Sequence, residues 1–143
     1  MIEYRKFITR QQLRDEPDKI FVFGDNVIQH GFGGQAAEML GDNVIQHGFG
    51  GQAAEMRGEP NAFGIPTKWK PTMEHDAFFR DFQFPAVKLL LDDLLADLYS
   101  HALNGSVIVW PEDGIGTGLS KLSTTSPLAW QYIENALTYL EQI

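Results

Sequence analysis

The longest regular pattern in the chain runs from Ala86 to Leu103. There Val87, Leu90, Leu91, Leu94, Leu95, Leu98 and Ala102 recur on one face of a 3.6-residue helix. Three shorter runs carry no helical period. Ile20 to Phe23 (IFVF), Asn61 to Pro66 (NAFGIP) and Ser106 to Pro111 (SVIVWP) are short, mostly apolar and bounded by turn-forming residues, which predicts buried strands. Thr9 followed by Gln12 predicts a capping box and a short helix that ends near Pro17. Ser126 as N-cap and Pro127 in the first turn open a last helix to about Gln142. Between these elements, Pro71 to Phe84 is aromatic and irregular, with a helical turn expected around Asp76 to Arg80.

Strands and helices therefore alternate, which argues for an α/β domain: three layers, α/β/α, around a short and mostly parallel sheet. One domain over residues 1–143 is expected from the length. In such sheets ligands bind beyond the carboxyl ends of the strands. The loops after Phe23, Pro66 and Pro111 all fall at that edge.

The first of these loops is written twice. Residues 24–39 read GDNVIQHGFGGQAAEM, and residues 41–56 repeat the same letters without a substitution. Each copy is a glycine-rich loop followed by a short helical stretch, Gln35 to Leu40 in the first, with Gly41 and Gly58 in the left-handed position that ends such a helix. Two units are too few for a solenoid. Without one copy the chain still reads as a complete small domain. The first copy follows the Ile20–Phe23 strand directly, so it is expected to form the site. The spare copy should then pack on the domain surface, on a partner subunit in a homo-oligomer, or as an exchanged element.

Composition narrows the chemistry. The net charge of −8, with lysine and arginine scattered, disfavours duplex nucleic acid and anionic membranes as partners. There is no cysteine, which excludes disulfides, thiol nucleophiles and cysteine-based zinc sites. His30, His47, His75 and His101 show no metal-ligand spacing, so no metal and no bound cofactor is expected. Asp92, Asp93 and Asp97 interrupt the leucine-rich stretch, and no signal peptide or membrane-length apolar run is visible, which predicts a soluble, cytoplasmic protein.

Two glycine loops can hold an anion. Gly31, Gly33 and Gly34 precede Gln35 at a helix start, where free backbone donors and the helix dipole favour a phosphate; the competing reading is a plain tight turn. In the second loop Gly114, Gly116 and Gly118 alternate with Ile115 and Thr117, a pattern that suits a backbone nest or a flexible connection. Asp25 and Asn26 suit contacts to an amine or a sugar hydroxyl, or a turn dictated by their own side chains. Lys68, just past the second strand, suits a phosphate contact, a nucleophilic amine or a solvated surface lysine. Trp69 and Trp110 suit base stacking or core.

Taken together, VFGDN followed by HGFGGQAA, GIPTKW, and SVIVWPEDGIGTGL resemble the macrodomain family of ADP-ribose-binding α/β/α modules over roughly residues 18 to 140. The resemblance implies a macrodomain-like fold and an ADP-ribose-like ligand, with Asn26 near the distal ribose. It also implies that Gly31 to Gly34 surround the diphosphate and distal ribose, with Gly114 to Gly118 on the diphosphate. GIPTKW is similar to the branch that removes ADP-ribose from glutamate or DNA bases, which carries a catalytic role over to Lys68. That branch has an acid shortly after the second phosphate loop; here Gly118 to Lys121 reads Gly-Leu-Ser-Lys. Two readings follow: a nucleotide binder, with or without ADP-ribosyl hydrolysis, and a non-catalytic oligomeric scaffold whose glycine loops are structural.

Overall fold

Four parallel strands form the sheet in the order β1-β4-β2-β3: β1 (Ile2–Arg5), β2 (Ile20–Asn26), β3 (Ala62–Lys68) and β4 (Ile108–Pro111). The computed structural model describes residues 1–28, 56–118 and 120–143. The helices among them are α1 (Arg10–Asp15), α2 (Phe84–Leu103), α3 (Leu122–Thr125) and α4 (Pro127–Gln142).

The sheet is covered on both faces, which makes the domain a three-layer α/β structure. Alternation along the central strands separates two cores. Val22, Ile65, Ile108 and Trp110 point to the face covered by α2 and α4, where they meet Leu91, Leu98, Ile133 and Leu140. Phe21, Phe23 and Val109 point to the other face, against Ile8, Leu13 of α1 and Met56. Because β2 and β4 are buried on both sides, their sequences are apolar runs without a period, as parallel central strands require.

Several expected boundaries move. The first strand begins at Ile2, in a segment with no strand signal of its own because its four residues include Glu3 and Arg5. Those charges suit an edge position, where they discourage pairing with another chain. Gly24, Asp25 and Asn26 belong to β2 rather than to a loop, and β3 runs through Lys68, so Lys68 ends the strand instead of following it. Pro66 is tolerated because β3 is the opposite edge. The stretch from Pro71 to Phe84 holds two short 3₁₀ turns, His75–Ala77 and Asp81–Gln83, in place of one helical turn.

Helix starts behave largely as read. Thr9 Oγ1 accepts from the Gln12 amide at 3.3 Å, but the Gln12 side-chain oxygen has no partner, so only half of the capping box forms. Ser126 Oγ accepts from the Ala129 amide at 3.3 Å and donates to Asp81 Oδ1 at 2.8 Å. The same Asp81 oxygen accepts from the Leu128 amide at 3.1 Å, so a residue far off in sequence strengthens this cap. Of the α2 stripe, Val87, Leu91, Leu95, Leu98 and Ala102 are buried, while Leu90 and Leu94 are partly exposed. No helix among the described residues is long and apolar enough to cross a membrane.

Candidate functional site

The carboxyl ends of β2, β3 and β4 lie at one edge of the sheet, and three of the expected groups meet there. Gly24 is where they touch. A Cβ at Gly24 would stand 3.6 Å from Thr67 Cγ2 and 3.9 Å from Ile115 Cγ2, which brings the loop after β4 onto the ends of β2 and β3. Ile115 is fully buried in the larger core and anchors that loop.

The loop geometry depends on two left-handed glycines, Gly114 at φ +91° and Gly116 at φ +83°. A side chain at Gly116 would put Cβ 2.8 Å from Leu122 Cβ, so glycine is required there by space as well as by φ. The Gly114 amide donates back to the Pro111 carbonyl at 3.0 Å, which closes the turn and removes that donor from any ligand. Thr117 Oγ1 donates to the Asp113 carbonyl at 2.9 Å, so its oxygen can still accept but its proton is engaged. Among the described residues nothing accepts from the amides of Ile115, Gly116, Thr117 and Gly118. Four successive unaccepted N–H groups around left-handed glycines are the ingredients of an anion nest.

After this loop the chain turns through Lys121, a non-glycine residue at φ 49° whose amide donates to the Gly118 carbonyl at 3.1 Å. No carboxylate occupies the positions where the resemblance calls for an acid.

Asp25 has a different environment from the one the sequence suggests. By alternation it points away from the Gly24 side of the sheet. Its carboxylate is gripped by Arg57, through Nη2 to Oδ1 and through Nε to Oδ2 at 3.4 Å. Oδ1 also accepts from the Asn26 amide at 2.8 Å, and the Asp25 carbonyl accepts from Thr67 Oγ1 at 3.1 Å. At this point the pairing of β2 with β3 slips: Asp25 lies opposite Pro66, but Asn26 lies opposite Lys68. Asn26 is buried, at the tip of β2.

Lys68 is also buried, only 6% exposed. Its Nζ donates to the Thr72 carbonyl at 2.6 Å, lies 3.8 Å from Met73 Sδ and sits over the Phe78 ring at 4.5 Å. Burial pushes its ammonium below the usual lysine range, and no carboxylate among the described residues offsets that. The surface-lysine reading is therefore excluded. Trp110 is fully buried in the core, which rules out base stacking in this conformation. Trp69 packs edge-to-face on Phe79 at 4.8 Å and donates Nε1–H to Gln83 Oε1 at 2.9 Å.

Gly31, Gly33, Gly34 and Gln35, together with the second glycine loop of the repeat, fall outside the described residues. What the structure adds is Arg57 and Thr67. The one available signal for Arg57 was the letter after each repeat copy, Leu40 after the first and arginine after the second. Thr67 offered no signal of its own.

The protein family of unknown function DUF7831 matches the chain over residues 3–41 and again over residues 39–136. The break between the two matches falls at the seam between the repeat copies. No curated protein and no solved structure matches the chain.

Proposed function

Because the chain belongs to DUF7831, a family of unknown function, we propose an activity from the site itself: binding of ADP-ribose or a related NAD-derived nucleotide at the carboxyl edge of the sheet. The observation that carries this reading is the run of amides from Ile115 to Gly118 that no described residue accepts from, seated beside the ends of β2 and β3. Backbone N–H groups can hold a diphosphate in a chain of net charge −8 because they act locally and bring no like charge. Asn26 lies at the tip of the neighbouring strand, within the same edge, and takes the ribose. The order strand, Gly-Asp-Asn, glycine loop, Thr-Lys, strand, glycine loop is the macrodomain-like pattern, and it supports the same assignment. Gly114 shapes the turn instead of contacting ligand.

In the enzymatic form of this reading, Lys68 attacks the anomeric carbon of the ribose. The amine forms a C–N bond as the glycosidic bond to the modified group breaks, and water then releases ADP-ribose. Burial lowers the cost of deprotonating this amine, which is the direction a nucleophile requires. The leaving group must take its proton from water or from a group other than residues 118 to 121, where no acid stands. Isothermal calorimetry with ADP-ribose tests the binding claim. Saturable heat is the expected outcome, and no heat at millimolar ligand removes the proposal.

A second reading, an interaction scaffold, draws on the same loop: the Gly114 turn and the Gly116–Leu122 contact are structural features in their own right. Light scattering of the chain with and without residues 40–56 separates the two. An oligomer that dissociates on deletion favours the scaffold.

A further inference from the structure

The pairing slip between Asp25 and Asn26 is a β-bulge-like irregularity, a device that re-aims a side chain at a strand end. Among the described residues it is held from three directions. Thr67 fixes the Asp25 carbonyl, the Asp25 carboxylate fixes the Asn26 amide, and Arg57 fixes the carboxylate with two nitrogens. Both members of the ion pair are largely withdrawn from water, with side chains 11% and 4% exposed for Arg57 and Asp25. A buried carboxylate gripped by a guanidinium fork has little freedom to rotate.

Arg57 is also where the two repeat copies differ. Met39 and Met56 end identical segments, but the next residue is Leu40 in one case and Arg57 in the other. Leucine has no donor for Asp25. The sheet takes its Gly-Asp-Asn from the first copy, while Met56, the buried last residue of the second, leads into Arg57.

We infer that Arg57 is a positioning residue, which through the Asp25 carboxylate fixes the bulge that aims Asn26 at the ligand edge. The ligand half of this statement rests on the nucleotide-binding reading; the structural half does not. It follows that deleting residues 40–56 joins Met39 to Arg57 and leaves a domain with one complete copy and an intact Asp25–Arg57 pair.

Amide hydrogen exchange of Asn26, followed by nuclear magnetic resonance, tests this without ligand. In Arg57→Leu the Asn26 amide should exchange at least about tenfold faster while the Phe21 and Val109 amides keep their protection. Arg57→Lys should fall between, because a point charge replaces a fork. The deletion of 40–56 should leave the Asn26 amide as in the full chain. If Arg57→Leu does not fold, the double variant Asp25→Asn/Arg57→Leu removes the stranded buried charge and should show the same faster exchange. An unchanged Asn26 amide in whichever of these variants folds, or its loss of protection in the deletion, overturns the inference. ADP-ribose affinity, measured in parallel, should weaken about tenfold or more in Arg57→Leu, the order of loss seen when an outer partner of a binding group is removed. Absence of binding by the wild-type chain would count against the nucleotide reading alone, since the exchange measurement involves no ligand.

Discussion

Lys68 holds its ammonium 4.5 Å from the centre of the Phe78 ring and 2.6 Å from the Thr72 carbonyl, at the last position of an edge strand. The ring and the carbonyl recover part of the cost of burial, but neither carries a full negative charge. Replacing Lys68 by Met removes a contact and a desolvation penalty together. Stability of Lys68→Met is expected within about 1 kcal/mol of wild type, since a partly buried cation–π contact is of that size. Release of ADP-ribose from a modified substrate should fall by about a thousandfold or more if the amine is the nucleophile. Equal release rates for the two proteins would sink the catalytic role.

If Lys68 is the nucleophile, its burial also sets the pH dependence of release. Desolvation favours the neutral amine, so the folded value lies below the ordinary 10.5. The reactive form therefore accumulates as pH rises, and the rate should climb and level off before pH 10.5 is reached. A pH–rate profile of the wild-type chain that is flat or falls with pH would contradict this.

Two glycines of the loop after β4 should separate folding from binding. Gly116→Ala meets a positive φ and Leu122 Cβ at 2.8 Å, and should cost about 1–3 kcal/mol in denaturant melts. Gly118→Ala has open space around the new methyl group and should leave stability unchanged. The methyl would nonetheless crowd an anion held by the neighbouring amides. Weaker ADP-ribose binding at unaltered stability is the expected result for Gly118→Ala.

Asn61 ties the first helix to the sheet. Its Nδ2 donates to the carbonyls of Leu13 at 3.0 Å and of Glu16 and Lys19 at 3.1 Å each. Truncation removes the shared donor from the Leu13 and Lys19 carbonyls, while the Glu16 carbonyl keeps the Lys19 amide at 3.1 Å. Asn61→Ala is expected to lose about 2–3 kcal/mol, measured by urea unfolding, and Asn61→Asp to be no better because the donor is lost in both.

At the β1 edge, Arg5 and then Lys19 hold the Glu16 carboxyl down at about 2, from an ordinary 4.5. A depressed carboxylate stabilises the fold above its unfolded value and loses that contribution as pH falls toward the folded one. The stability of the wild-type chain should therefore exceed that of Glu16→Gln at neutral pH, with the gap closing between pH 4.5 and about 2. The gap will be modest because the pair is partly exposed. Parallel acid titrations of the two proteins, with no convergence in that window, would refute the assignment.

Much of this architecture was legible in the letters. The α2 stripe, the Ser126-Pro127 start and the apolar runs of β2 and β4 are local patterns whose meaning depends on period and capping chemistry alone. The left-handed glycine at 58 likewise followed from what ends a helix. Strand β1 was not legible: four residues with two charges carry no strand signal until β4 lies beside them. Nor was the true length of β2, because Gly-Asp-Asn is turn chemistry in isolation and becomes strand only when β3 supplies the ladder.

Sequence by itself determined the alternation of elements, the two-sided burial of the sheet and the glycine loop that follows β4 at its carboxyl edge. These follow from hydrophobic pattern and backbone preference, which act over a few residues. Tertiary structure alone decided that Lys68 is buried, that Asp25 faces Arg57, and that Gly-Asp-Asn belongs to β2. Those outcomes rest on desolvation and ion pairing between segments about thirty residues apart.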